Sequence, residues 1–289
     1  MGISRQQALE CFQSDDLIAI GMEADAVRRR LHPESVVTYS CVTVLDADAA
    51  ARRGSLVEAA FTGATVRLTS DSRGLESLVE GCRVLRQLFS SVWIEASISG
   101  SLLVGIDADV AVALLVEAGA TAIFVDPRGE PRDYDAIKAA ALAVHRTAYT
   151  RDIKTIATIP FGCGESLEER LDFLEAIRRL QDQTGAFVAC LPLGLDAPGG
   201  RELDGVTAVE RLKMMAITRM YLDNIPHLRS IQTGAGLKVL QTALRFGADD
   251  AELRVPHSGA TEQDLRRIIR DSGFQPVERD QNYSMMFLN

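Results

Sequence analysis

Four titratable side chains stand where chemistry could be mounted: Asp71, Glu95, Asp126 and His257. Each lies in or beside a short apolar run that reads as a strand. Asp71 follows TVRLTS, Glu95 sits inside VWIEASI, Asp126 follows AIFV and His257 follows AELRVP. Carboxylates and an imidazole gathered on one rim can do general acid–base work or bind a cationic group. Each also has a plainer reading. Asp71, like Asp196, is a common turn or cap residue, and a buried Glu95 needs a partner before it is free to act as a base. A second constellation could hold an anion. Gly234-Ala235-Gly236 precedes a helical pattern, so its backbone N–H groups could cradle a phosphate at a helix start. A tight turn explains the two glycines equally well. Arg254, with Arg73 and Arg128, could grip a carboxylate or phosphate bidentately, although Arg254 could instead pair with Glu252.

The thiols and the other imidazoles give weaker signals. Cys163, in PFGCGES before a helix start, is either an activated nucleophile or a small turn residue. Cys41 and Cys190 fall inside strands and read as buried hydrophobes, and Cys11 and Cys82 sit on helices. His32 precedes Pro33, His145 lies late in a helix, and His227 sits in a corner before the seventh strand, away from the rim. No cysteine–histidine spacing matches a zinc motif, so no metal site is expected.

The elements that must position these residues alternate. Strands are expected at Val36–Val44, Thr65–Thr69, Val92–Ile98, Ala122–Val125, Thr155–Phe161, Phe187–Leu193, Ser230–Thr233 and Glu252–Val255. Amphipathic helices follow at Ala47–Ala60, Leu75–Phe89, Ala108–Ala118, Tyr134–Ala148, Leu167–Gln183, Ala208–Asp223, Leu237–Phe246 and Glu262–Asp271. Alternating strands and helices predict parallel βα units, and eight of them predict a (β/α)8 TIM-type barrel over 36–289. Residues 1–35 read as an N-terminal helical appendage. A barrel mounts its chemistry in the loops after the strands, where most of the candidate residues fall.

Composition narrows the function classes. A chain of 289 residues with 47% apolar and 25% charged residues suits a globular enzyme or binding protein. The net charge of −9 disfavours nucleic acid or an anionic membrane as partner. MGISRQQALE has no apolar signal core. Ala108–Val125 is interrupted by Asp109 and Glu117 and is no membrane span. Five scattered cysteines predict reduced thiols and a cytoplasmic location.

Two segments carry a family resemblance. One is DLIAIGMEADAVRRRLHPESVVTY. The other begins TIATIPFGCGESLEERLDFLEAIRRLQDQTGAFVACLPLG and continues through AVERLKMMAITRMYLDNIPHLRSIQTGAGLKVLQTALRFGADD to IIRDSGFQPVERD. Together they resemble the radical S-adenosylmethionine barrels of the menaquinone futalosine pathway, dehypoxanthine futalosine cyclase above all. LQDQTGAF and YLDNIP are its most specific stretches, and the middle of the chain follows only by strand order. The resemblance implies a C-x3-C-x2-C motif after the first strand, whose three thiolates hold a 4Fe–4S cluster. This sequence has no such triplet. Between Tyr39 and Gly54 it has Cys41 alone, and where the family has a long cluster loop it reads Leu45-Asp46-Ala47-Asp48, a turn and a helix cap. The family's glycine-rich segments after the second and fourth strands are replaced by Ser70-Asp71-Ser72-Arg73-Gly74 and Asp126-Pro127-Arg128-Gly129-Glu130.

What the resemblance implies, set against these losses, is a radical-SAM-like barrel without its cluster. No cofactor is then expected. Such a protein would be a small-molecule-binding paralog or auxiliary partner in quinone biosynthesis, with its ligand at the C-terminal face of the barrel and an intact pathway enzyme as a possible partner. The alternative is a working non-radical isomerase, lyase or hydrolase acting on a futalosine-like or aromatic acid metabolite.

Overall fold

The computed structural model describes residues 2–52, 65–70, 74–126, 134–162, 164–194, 206–232, 236–255 and 259–286. The chain opens with helix α1, Arg5–Gln13, started by a reciprocal capping box between Ser4 and Gln7. Asp16 caps α2, Leu17–Leu31, and its three terminal arginines face the negative end of the helix dipole. Pro33 stops the helix, and β1 runs Val36–Asp46.

After β1 the helices and strands alternate as expected. They are α3 Ala47–Arg52, β2 Thr65–Thr69, α4 Leu75–Leu88, β3 Trp93–Ser99, α5 Gly100–Gly105, α6 Ala108–Glu117, β4 Ala122–Asp126, α7 Tyr134–Thr150, β5 Lys154–Thr155 and β6 Ala157–Phe161. The second half holds α8 Leu167–Thr184, β7 Ala189–Gly194, α9 Ala208–Tyr221, β8 His227–Ile231, α10 Gly236–Ala243, β9 Asp250–Val255, α11 Glu262–Asp271 and β10 Gln275–Glu278. Helix α8 shows why the boundaries were legible. Ser166 and Glu169 form its capping box, and Gly185 ends it with φ +61°.

Strands pair in the order β5-β4-β3-β2-β1-β9-β8-β7-β6, with β10 added beside β1. The ladders with a defined register are parallel. The two ends of the order, β5 and β6, are separated in the chain by Ile156 alone. This is an α/β fold of the TIM-barrel type. Strands β2, β4, β6 and β7 are buried along nearly their whole length, as parallel strands covered on both faces must be.

The chain forms two compact units. The first comprises residues 1–40, 159–253 and 258–289, the second residues 41–158 and 254–257. In the first, Ile177, Leu191, Ile217, Leu228, Leu253 and Leu265 are fully enclosed. Helix α2 packs on α9 there, and Gly21 admits the Phe246 ring to where a Cβ would sit 2.8 Å away. In the second, Val66, Leu68, Leu78, Leu85, Ile94, Ala96 and Leu115 are fully enclosed. Burial of each such aliphatic side chain contributes about 1.5–3 kcal/mol.

The strand expected at Thr155–Phe161 is split at Ile156 into β5 and β6, and two further elements were not expected. Helix α5, GSLLVG, carries glycine at both ends and reads as a turn. Strand β10, QPVE, is four residues long and contains a proline, which an edge strand tolerates. The strands expected to begin at Ser230 and Glu252 begin instead at His227 and Asp250. Their polar first residues had hidden them.

Candidate functional site

In the second unit the strand register sets the height of each candidate. Asp46 at the end of β1 pairs with Thr69 of β2, and Ser99 of β3 pairs with Asp126 of β4. Asp126 therefore closes β4 at its C-terminal end, where it is 6% exposed. Glu95 lies lower, beside Ala122. Four residues of strand, about 13 Å at ~3.3 Å per residue, separate that level from Asp126. Glu95 is buried and held by Arg67, whose Nε and Nη2 both donate to Oε2, at 2.8 and 2.6 Å. The Arg67 guanidinium lies 3.8 Å from the centre of the Phe124 ring. Arg67 and Glu95 form a buried ion pair whose partners compensate each other. The structure thus brings Glu95 to Arg67 and not to Asp126.

Asp71, His257, Gly234 and Cys163 lie outside the described residues. Arg254 belongs to β9 and to the second unit, whereas Gly236 begins α10 in the first. Gly236 has φ +81°, and a Cβ there would meet nothing within 4 Å. Backbone conformation, not crowding, requires this glycine. With Arg211, Phe161, Met215 and Leu240 it lines a cavity of about 30 Å³, room for about one water molecule.

The end of β1 is tightly built. Asp46 is the last residue of the strand and Ala47 the first of α3. The Asp46 carboxylate accepts a hydrogen bond from the Ala49 N–H at 2.8 Å, as a helix cap does. Two residues on, buried Asp48 accepts from the Ser77 hydroxyl of α4 at 2.5 Å.

The described cysteines sit on four different elements: Cys11 on α1, Cys41 in β1, Cys82 on α4 and Cys190 in β7. Cys190 is buried, its thiol 3.7 Å from the His227 carbonyl oxygen, and burial pushes its pKa up to about 12. Burial does the same to Cys82, also up to about 12.

The first unit holds polar clusters that the sequence reading missed. Asp250 accepts from Thr38, Arg229, Arg279 and Tyr283, at 2.6 to 3.1 Å. Arg229 also donates to Glu252 at 2.8 Å. The neighbouring Asp249 is gripped by Arg219 and by the Leu228 N–H through Oδ1, while its Oδ2 faces His227 Nδ1 at 2.5 Å and His32 Nε2 at 3.3 Å. Burial pushes the Asp249 carboxyl up, but Arg219 and the His227 hydrogen bond outweigh it and hold it below its usual value. Among the described residues this trio is the one group of three histidine, cysteine or carboxylate side chains close enough to share a metal ion. The available signal was FGADD directly before an apolar run: two consecutive acids entering a strand must find partners inside.

No family model matches the chain. Curated proteins do, each over about half its length. Aminodeoxyfutalosine synthase of Thermus thermophilus is 38% identical over 160 residues, 49% of this chain and 43% of that protein. Cyclic dehypoxanthine futalosine synthase of Streptomyces coelicolor is 32% identical over 161 residues, 51% of this chain and 40% of that one. A 5-amino-6-(D-ribitylamino)uracil–L-tyrosine 4-hydroxyphenyl transferase of Methanospirillum hungatei is 31% identical over 157 residues, covering 48% and 43%. The chain spans less than half the length of these relatives. Among solved structures, tryptophan synthase subunit alpha of Legionella pneumophila aligns with a TM-score of 0.48 and 12% identity, over 87% of this chain and 94% of that one. By sequence, then, half of this chain is homologous to enzymes named for futalosine synthesis.

Proposed function

We propose that the chain is a diverged barrel of the dehypoxanthine futalosine cyclase kind that works without an iron–sulfur cluster. It acts as a small-molecule-binding paralog or auxiliary partner in menaquinone biosynthesis. The observation that carries this reading is the junction after β1. Strand and helix meet at Asp46 and Ala47 with no residue between them, at the position where the resemblance implies a loop bearing three cysteines. A cluster needs three thiolates converging on one corner of a cube. The described thiols do not fit it, since they lie on four elements and two of them are deeply buried with raised pKa values. No reductive cleavage of S-adenosylmethionine is assigned to this chain.

In this reading the ligand is met by residues at the C-terminal strand ends. Asp126, with Asp71, His257 and Arg254, would bind its polar groups. Glu95, balanced by Arg67, would act as a structural anion and not as a base.

The test has two arms. Anaerobic reconstitution with iron and sulfide, followed by metal and sulfide analysis, is expected to leave no stoichiometric cluster; one intact cluster per chain overturns the reading. Incubation with S-adenosylmethionine, futalosine derivatives and a metabolite extract, then native mass spectrometry, is expected to retain a small molecule without converting it. Turnover of a retained futalosine-like or aromatic acid metabolite would favour the non-radical enzyme instead.

A further inference from the structure

Away from the strand C-termini, the first unit gathers three metal-binding side chains from three elements. His32 follows α2, His227 opens β8 and Asp249 immediately precedes β9. Their nearest nitrogen and oxygen atoms all lie within 4.8 Å of one another. The side chains of His32 and His227 are 20% and 18% exposed, and Asp249 is 3% exposed, so the group is shielded yet reachable.

The carboxylate donor is held in place. Asp249 uses Oδ1 for Arg219 and the Leu228 N–H, which fixes the carboxylate and leaves Oδ2 turned toward both imidazoles. Such outer partners hold ligating carboxylates in known metal sites. The rings are braced as well. His227 is stacked between His32, at 4.9 Å, and Tyr283, at 4.4 Å. The Pro226 carbonyl oxygen lies 2.8 Å from His32 Nε2 and also accepts from Arg219 Nη1 at 3.1 Å, which fixes the His32 ring beside the group.

We propose that His32 Nε2, His227 Nδ1 and Asp249 Oδ2, with solvent in the fourth position, form a structural site for a borderline divalent ion, Zn²⁺ or Co²⁺. Two imidazoles and a carboxylate are a zinc-type donor set. With bonds of about 2.0–2.1 Å, tetrahedral ligand atoms lie about 3.3 Å apart. The His32–Asp249 separation of 3.3 Å already matches this. The 2.5 Å between His227 and Asp249 must open, and the His227 ring must turn out of its stack with His32 for both imidazole lone pairs to meet at one ion. The ion would replace the protons now shared among these groups. It would tie the end of α2 to the starts of β8 and β9. Arg219, on the far oxygen of Asp249, opposes a second cation and limits the site to one ion of moderate affinity.

The test uses the whole chain, stripped with chelator and titrated with Co²⁺ and then Zn²⁺. The chain has four histidines; His145 is buried against Thr155, which leaves His257 as the one control. Expected are one equivalent of Co²⁺ with the intense visible absorption of a low-coordinate site, its displacement by Zn²⁺, and a raised Tm with Zn²⁺. His32→Ala, checked for folding by circular dichroism, is expected to weaken binding more than about tenfold, the least that losing even an outer partner causes, while His257→Ala leaves it unchanged. Absence of a bound equivalent in the parent protein, binding unaffected by His32→Ala, or binding lost only with His257→Ala would each overturn the proposal. The parent titration decides even if His32→Ala fails to fold. None of these outcomes touches the reading of the lost cluster, which rests on iron and sulfide analysis.

Discussion

Replacing Asp250 with alanine removes the acceptor at the centre of the buried network in the first unit. Asp250 and Glu252 carry two negative charges, Arg229 and Arg279 two positive ones, and all four are at most 2% exposed. In Asp250→Ala, Arg229 keeps Glu252 as counter-ion. Arg279 loses both of its carboxylate hydrogen bonds, at 2.6 and 2.7 Å. An uncompensated buried cation typically costs 3–5 kcal/mol, so a loss of about 4 kcal/mol is expected. With a urea m-value of about 3 kcal/mol/M the midpoint falls by about 1.3 M. Urea unfolding followed by circular dichroism measures it. Trp93, the sole tryptophan, lies in the second unit, so its fluorescence reports separately on whether that unit unfolds with the first. Removing both charges in Asp250→Leu/Arg279→Met leaves Arg229 and Glu252 balanced and is expected to recover most of the loss. A single-variant loss below about 1 kcal/mol, or a double variant no more stable than the single one, would refute the claim that charge balance holds this network together.

Three further outcomes are expected. Cys82 and Cys190, with pKa values pushed up to about 12 by burial, should resist iodoacetamide at pH 8 in the native protein and label fully in urea, as peptide mapping reads directly; rapid native labelling of either would contradict its burial. Gly21→Val should destabilise the first unit by about 1–3 kcal/mol through overpacking against Phe246, visible as a lowered Tm; a neutral result would mean that α2 is not seated as described. The Tyr221 hydroxyl donates to Glu175 at 2.5 Å and, as the largest contribution, lowers the Glu175 pKa. A depressed folded value stabilises above the unfolded pKa and is lost as pH falls through the folded one. Tyr221→Phe should therefore raise the Glu175 pKa in a carboxylate NMR titration and move the onset of acid destabilisation to higher pH; an unchanged titration would rule out the hydrogen bond as its cause.

The βα alternation was legible because buried parallel strands announce themselves as apolar runs, and caps such as Ser166 and Glu169 mark where helices begin. Strand β8 was legible only from its fourth residue onward and β9 from its third. Arg229 and Asp250 are charged, and their mutual compensation, not their polarity, lets them enter the sheet. The same limit governed the site. Asp126 was placed correctly at the end of a strand, because position along a strand follows from sequence. The pairing of Glu95 with Arg67 was not foreseen, because the residues are 28 positions apart and nothing local encodes the ladder that joins them. His32 and His227 were set aside one at a time, and Asp249 was not singled out. Their meaning lies in a convergence that only the fold creates.

Strand β1 also bears on the order in which the chain can assemble. Its second half finds β2 directly downstream, as soon as residues 65–69 are made. Its first half is flanked by β9 and β10, and Thr38 waits for Asp250, 212 positions later. During synthesis one strand therefore has a neighbour along one stretch and an open flank along the other until the last few dozen residues emerge. During that interval the Val37 and Tyr39 backbone is an open edge on which another strand can pair.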